Sequence, residues 1–440
     1  MVSSPAVDLH APEPLAGSYF VATYPPFSCW DEAGAREYTA ELQEPPRGDV
    51  ALGLYLHVPF CVERCEFCYY LSYDGRGDKI DAYLDAVARE AGALGTAPAI
   101  ADRPVSFAYV GGGTPSILSA ARIDRLMGSL RRAFRWEEPR EVTFECAPRT
   151  VTPEKLRALR HAGVTRVSMG VQQMDDEILR RNGRIHRVAD VERAWEMIAA
   201  VGFPVVNLDL IVGMVDETDD TFLSSVERLI DMDPESITVY QLEIPLNTPL
   251  YRAMQEGTLE GSPASWDVKR ARLDAAFCRL EEAGYSVRSA YTVVKDPEAH
   301  RFVYQDEQYA DADLVGIGTS SFSSLGTVQH QNRAALSAYL AAMDEADLPL
   351  WRGRRLSAEE RAVREMVLQW KLGRVDRATF RRRHAVDPAA RFAEPLEKLV
   401  AAGMAEIDED AIRLTRRGLL NADRVLPAFY LPEHRGIRYS

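Results

Sequence analysis

Residues 57–70 read His57-Val58-Pro59-Phe60-Cys61-Val62-Glu63-Arg64-Cys65-Glu66-Phe67-Cys68-Tyr69-Tyr70. Three of the six cysteines fall here, spaced Cys-x3-Cys-x2-Cys. They follow an apolar run, Leu54-Tyr55-Leu56-His57-Val58, that reads as a strand. Three thiolates on one short loop can wrap three corners of an iron–sulfur cubane, because thiolate is a soft ligand. One iron then keeps an open position, able to chelate a small molecule through amino and carboxylate groups. A zinc site is one alternative, but it would want a fourth Cys or His nearby, and His57 is poorly placed on the preceding strand. Three buried free cysteines are the other alternative, which the charged insertion Val62-Glu63-Arg64 disfavours. Cys29, Cys146 and Cys278 are scattered and read as incidental.

Outward from this loop the chain alternates. Strands are expected at 54–58, 105–110, 141–145, 166–169, 204–211 and 236–242. Helices are expected at 79–94, 119–134, 153–162, 188–200 and 218–231. Strands separated by helices of this length indicate βαβ units and a parallel sheet. Six strands predict an α/β fold, a partial (β/α)6 barrel of the TIM type. Before it, residues 1–50 are rich in Pro, Ala and Glu and read as an N-terminal arm with one short helix near 31–43. Residues 51–325 read as the barrel and its extension, including a helix over 264–284 and an irregular Tyr-rich stretch. Residues 326–440 read as a small, mainly helical, winged-helix-like C-terminal domain. There the pattern is helical from Trp351, and a helix at 396–402 precedes a hairpin at 406–414 and another helix.

Composition narrows the function. The chain has 440 residues and a net charge of −14. An acidic chain lacks the clustered Lys and Arg that nucleic-acid binding needs, so no nucleic-acid partner is expected. No run approaches the roughly 18 apolar residues of a membrane span. The N-terminus lacks a basic start followed by an apolar stretch, and a cytoplasmic, monomeric protein is expected. Six cysteines are too few for a disulfide scaffold.

The Cys61-x3-Cys65-x2-Cys68 motif resembles the signature of the radical S-adenosylmethionine (SAM) superfamily. Tyr55-Leu56-His57-Val58-Pro59-Phe60-Cys61, Gly111-Gly112-Gly113-Thr114-Pro115, Ser168-Met169-Gly170-Val171-Gln172 and Asn207-Leu208-Asp209-Leu210-Ile211 resemble its oxygen-independent coproporphyrinogen III oxidase (HemN-like) group. So do Asp313-Leu314-Val315-Gly316-Ile317-Gly318 and Trp351-Arg352-Gly353. The resemblance implies a 4Fe-4S cluster on Cys61, Cys65 and Cys68 that donates one electron to SAM, giving methionine and a 5′-deoxyadenosyl radical. It implies SAM contacts at Tyr55, Phe67, Gly112, Gly113, Thr114, Glu145, Gln172, Arg184 and Asp209, with Glu243 and Phe322 as further pocket-lining positions. Barrel active sites are built at the C-terminal ends of strands, which is where most of these residues fall. Arg184 suits a methionine carboxylate. Asp209, a lone carboxylate in an apolar strand, needs a partner such as a ribose diol. The group's enzyme binds two SAM molecules, and a flavodoxin- or ferredoxin-type electron donor is usual for the superfamily.

Three departures direct the reading of the reaction. The decarboxylating enzyme has a fourth cysteine where this chain has Tyr70. Its Asn-Phe-Gln-Gly-Tyr-like segment is replaced by Phe302-Val303-Tyr304-Gln305-Asp306, and its His-Phe-Ala stretch by Tyr291-Thr292-Val293. An aromatic after the triad resembles the class C radical SAM methylases and cyclopropanases. The expectation is therefore C-methylation or cyclopropanation of a small-molecule secondary metabolite with a second SAM as carbon donor. Oxidative decarboxylation of coproporphyrinogen III is the first alternative. Heme binding as a chaperone is the second, with His300 as the residue matching that relative's histidine.

Overall fold

The computed structural model describes residues 13–17, 21–62, 64–68, 70–75 and 77–437. The remainder of the expected arm lies outside the described residues. Strands β1 (Leu52–Val58), β2 (Val105–Gly112), β3 (Glu141–Cys146), β4 (Arg166–Gln172), β5 (Val205–Val212) and β6 (Ser236–Gln241) pair in sequence order, all parallel. Both faces are covered, so the strands are buried almost throughout rather than alternating. This is the expected six-unit partial barrel.

Helices α1 (Glu32–Glu41), α2 (Gly77–Gly95), α3 (Ala120–Ala133), α4 (Pro153–His161), α5 (Val188–Val201), α6 (Asp219–Met232) and α7 (Trp266–Glu282) lie near their expected ranges. Ser119, Thr152, Thr218 and Ser265 start four of them. Each side-chain oxygen accepts a backbone N–H of the first turn, a donor with no intrahelical partner.

Beyond β6 the structure departs from the expectation in four places. The Tyr-rich stretch is ordered into β7 (Thr292–Val294), antiparallel to β6, and helix α8 (Val303–Tyr309). Next, β8 (Asp313–Ile317) returns to pair parallel with β1, on the side away from β2. The sheet then continues antiparallel through β9 (Phe322–Leu325), β10 (Val328–Asn332) and β11 (Leu350–Arg355). Residues from Trp351 were expected to be helical; they form a strand because β10 supplies its ladder. The expected division at 325/326 falls between β9 and β10, which are hydrogen-bonded to each other.

Helix α1 is not a loose arm. It lies on β11 so closely that a Cβ on Gly34 would stand 2.0 Å from the Gly353 carbonyl carbon and oxygen. Backbone cannot yield there. Gly34→Ala is expected to destabilise the fold by about 1–3 kcal/mol, read as a lower urea midpoint at unchanged slope.

A second sheet, β12 (Arg374–Asp376), β14 (Ala411–Leu414) and β13 (Ala405–Ile407) in that spatial order, carries the C-terminal unit with α9 (Ala358–Lys371), α10 (Arg377–His384) and α11 (Ala393–Ala401). Its core includes Trp370, Phe380 and Phe429, and also Val21, Tyr24, Tyr291 and Tyr309 from outside the unit. The winged-helix-like expectation holds. Among the described residues no helix is long and apolar enough to cross a membrane.

Candidate active site

The loop after β1 is pinned at both ends. Phe60 is fully buried and meets Tyr83 edge-on at 5.5 Å. The two-residue strand Phe60–Cys61 pairs with Tyr73–Asp74. Phe67 packs on a small apolar cluster that includes Ile211, Leu242 and Leu250. Between these anchors Cys61, Cys65 and Cys68 are partly exposed. Burial raises the Cys61 thiol, and pushes Cys68 up to about 11; the neighbouring triad thiols add to both shifts. The three sulfurs therefore lie close enough to feel one another. Among the described residues, no three His, Cys, Asp or Glu side chains converge on a single ion. The ligand set fits a cluster that offers each thiolate its own iron.

Glycines of the next strand end bring backbone against this loop. The Gly113 N–H donates to Val58 O at 2.8 Å, and the Thr114 N–H to Phe60 O at 2.8 Å. A Cβ on Gly113 would stand 2.7 Å from Phe60 O and 3.0 Å from Cys61 Sγ. Gly112 has φ +118°, and a side chain there would meet the His57 ring. The Thr114 hydroxyl reaches Cys61 Sγ at 3.5 Å. The Arg184 Nη1–H donates to Cys65 Sγ at 3.0 Å and Nη2–H to Gly170 O at 3.2 Å, while its buried Nε has no partner.

Two carboxylates stand inside the barrel. Glu145 accepts from the Tyr109 hydroxyl at 2.6 Å and the Gly112 N–H at 3.0 Å. Burial raises it to about 7. Asp209 accepts from Ser168 Oγ at 3.1 Å and Asn207 Nδ2 at 2.7 Å, and burial raises it to about 6. Asn207 Oδ1 accepts in turn from Ser236 and Thr238, so Asp209 is held by a polar ladder across three strands. Gln172 sits at a register shift between β4 and β5 with φ +68°, which turns it out of the strand's alternation. Tyr55 Oη lies 3.1 Å from His57 Nδ1, and burial lowers His57 to about 4, so the imidazole is neutral near pH 7.

All fourteen residues singled out from sequence line one cavity of about 570 Å3: Tyr55, Cys61, Cys65, Phe67, Cys68, Gly112, Gly113, Thr114, Glu145, Gln172, Arg184, Asp209, Glu243 and Phe322. Burial lowers the Lys269 ammonium to about 8, against the pull of Glu243. Phe322 stacks on Phe27 at 4.3 Å. Cys146 also lines the cavity; Cys278 is exposed on α7. Sequence reasoning missed Tyr109, Ser168, Asn207 and Tyr304. Tyr109 had a signal, since it lies two residues before Gly111 on the same face of β2. Tyr304 had none: it reaches Tyr109, at 4.5 Å between ring centroids, only because α8 folds back over the barrel. His300 accepts from the Asp296 N–H at 3.3 Å and is not among the cavity residues.

Comparison with known proteins agrees with this architecture. The radical SAM superfamily model matches residues 55–229, and the HemN C-terminal domain model matches residues 356–420. Oxygen-independent coproporphyrinogen III oxidase of Escherichia coli (strain K12) is 30% identical over 388 residues, 84% of this chain and 83% of that protein. Heme chaperone HemW of Mycobacterium tuberculosis (strain H37Rv) is 30% identical over 384 residues, 85% of this chain and 93% of that protein. The solved structure of coproporphyrinogen III oxidase (HemN) from Escherichia coli superimposes with a TM-score of 0.80 at 28% identity, covering 93% of this chain and 96% of that one. The expected class C one-carbon transfer gains no support from these relatives; they favour its tetrapyrrole alternatives.

Proposed function

Because this chain belongs to the radical SAM family that holds oxygen-independent coproporphyrinogen III oxidase and heme chaperone HemW, we propose that it oxidatively decarboxylates a propionate-bearing tetrapyrrole of the coproporphyrinogen class. It is a radical SAM enzyme, and its cofactors are a 4Fe-4S cluster and SAM. When bound, these supply a one-electron cleavage that ends in abstraction of a substrate hydrogen.

The chain's own residues prepare that event. Cys61, Cys65 and Cys68 would hold the cluster, each thiolate on its own iron. Gly112, Gly113 and Thr114 would bring backbone to the methionine end of SAM, and Arg184 would offer its unpartnered Nε–H to the carboxylate. Glu145 and Asp209 would accept hydrogen bonds from the SAM amino and ribose groups. Tyr55, Phe67, Gln172, Glu243 and Phe322 complete the walls. The side chains of the barrel exclude water, which strengthens each of these contacts.

The observation that carries the reading is the extent of the cavity. It runs from the cysteine loop past Glu145 and Asp209 to Tyr304 on α8, and on to Asp423 in the C-terminal unit. The lining thus reaches beyond the residues assigned to SAM, onto α8 and the C-terminal unit. His300, the position matched to the chaperone's histidine, lies outside that cavity.

Anaerobically reconstituted protein given coproporphyrinogen III, SAM and a chemical reductant is expected to release CO2 and to form vinyl groups detectable by mass. Formation of 5′-deoxyadenosine with the porphyrinogen recovered unchanged overturns the proposal. One observation favours a second reading, C-methylation with a second SAM: Tyr70 replaces the fourth cysteine, and its ring lies 6.4 Å from that of His57. Label from methyl-labelled SAM in the product would establish it.

A further inference from the structure

Buried cations are normally paired, because removing a charge from water is costly and an opposite charge offsets the loss. Among the described residues four arginines are buried: Arg103, Arg166, Arg272 and Arg364. Arg103 holds Asp313 at 2.7 Å, and Arg272 holds Glu217 at 3.1 Å. Arg364 donates to the Gln308 carbonyl and is not among the cavity residues. Arg166 is the most buried of the four, at 1% exposed, and it does line the cavity. It is the first residue of β4, at the opposite end of that strand from Gln172.

Two contacts hold its guanidinium. Nη2–H donates to Ser236 Oγ at 2.9 Å, and the Phe302 ring lies 4.5 Å from the guanidinium carbon. Buried Nη1 has no hydrogen-bond partner. Glu141 and Asp209 are near enough to feel the charge, but neither is hydrogen-bonded to it. Glu141 accepts from the Val303 and Tyr304 N–H groups, and Asp209 from Ser168 and Asn207. The way in is aromatic. Tyr109, Tyr304 and Phe302 line the cavity in mutual contact, with ring centroids 4.5, 5.9 and 6.1 Å apart, and the Tyr109 hydroxyl donates to Glu145. An aromatic wall that ends on an unpaired guanidinium fits a short alkyl chain with a terminal carboxylate. The rings cover the methylene groups, and the N–H groups take the anion.

We propose that Arg166 is a carboxylate-binding residue that receives one acidic arm of the substrate, passed along Tyr109, Tyr304 and Phe302. Anchoring that arm inside the barrel sets which part of the substrate stays at the cluster end of the cavity. The inference rests on the carboxylate-bearing substrate proposed above.

The test uses full-length reconstituted protein with SAM bound and no reductant, so that nothing turns over and Arg184 is not available to the probe. The probes are 3-phenylpropionate, which carries one ring, two methylenes and a carboxylate, and 3-phenylpropanamide, a similar shape without the charge. Binding is titrated by nuclear magnetic resonance. Wild type is expected to prefer the acid by about tenfold, the worth of a charge-assisted hydrogen bond. Arg166→Gln is expected to bind both probes alike. Arg166→Lys keeps the charge but not the planar fork, and is expected to bind the acid several-fold more weakly than wild type; it carries the test should the glutamine variant not fold. Equal binding of both probes by the wild type, or a full acid preference in the variants, overturns the proposal. An acid preference that depends on Arg166 upholds the subsite even if coproporphyrinogen III is not decarboxylated. Decarboxylation without that preference overturns the subsite alone.

Discussion

The triple variant Cys61→Ala, Cys65→Ala, Cys68→Ala is expected to lose iron, sulfide and brown absorbance completely on anaerobic reconstitution. Each single variant should lose most of it, because each thiolate would bind its own iron. The fold should survive. The anchors of the loop are Phe60 and Phe67, both apolar contacts, and the cysteines themselves are only partly buried. Far-ultraviolet circular dichroism of the triple variant should therefore match wild type. Cys29→Ser and Cys278→Ser serve as controls and should bind a full complement of iron. Normal iron and sulfide in the triple variant would falsify the entire chemical assignment.

Loss of the buried carboxylates is the second large effect. Glu145→Gln and Asp209→Asn are each expected to weaken SAM binding by about 10- to 100-fold, the worth of a charge-assisted hydrogen bond in a buried site. In each variant the amide oxygen can keep the N–H donor, Gly112 or Asn207, only if the amide N–H turns to the hydroxyl of Tyr109 or Ser168, which must then redirect its own proton. The same groups predict a pH dependence. Burial raises Glu145 to about 7 and Asp209 to about 6, and on the proposed assignment the ionised forms are the ones that would accept from SAM. SAM affinity is therefore full above both values and falls as pH drops through them. The limit is about tenfold per pH unit per group. Equilibrium dialysis of wild type and of the E145Q/D209N double variant, at pH values above and below that window, checks the sign. A wild-type curve parallel to that of the double variant would refute it.

Much of this was legible in the residues. The alternation of strands and helices is a local pattern, written by side-chain periodicity and by caps such as Ser119 and Thr218, so the six-unit barrel could be read directly. Where order came from distant pairing, reading failed. Trp351-Arg352-Gly353 has no strand periodicity of its own; it is a strand because β10 offers a ladder on one side and α1 packs above Gly353. The stretch around Phe302 and Tyr304 looked irregular because α8 is held by Glu141, which accepts from the Val303 and Tyr304 N–H groups from far away in sequence.

The sequence by itself determined the chemistry the chain can hold: three thiols on one loop, glycines at the next strand end and a polar residue in or just after each later strand. Short-range spacing suffices for that, since a loop and a strand end are each a few residues long. The tertiary structure alone decided how those groups act together. It set the Arg184 guanidinium on Cys65, and gave Glu145 a partner in Tyr109 and Asp209 a partner in Asn207. It joined barrel, α8 and C-terminal unit around one cavity. Burial raises the two carboxylates, and burial belongs to the assembled partial barrel rather than to any segment of chain.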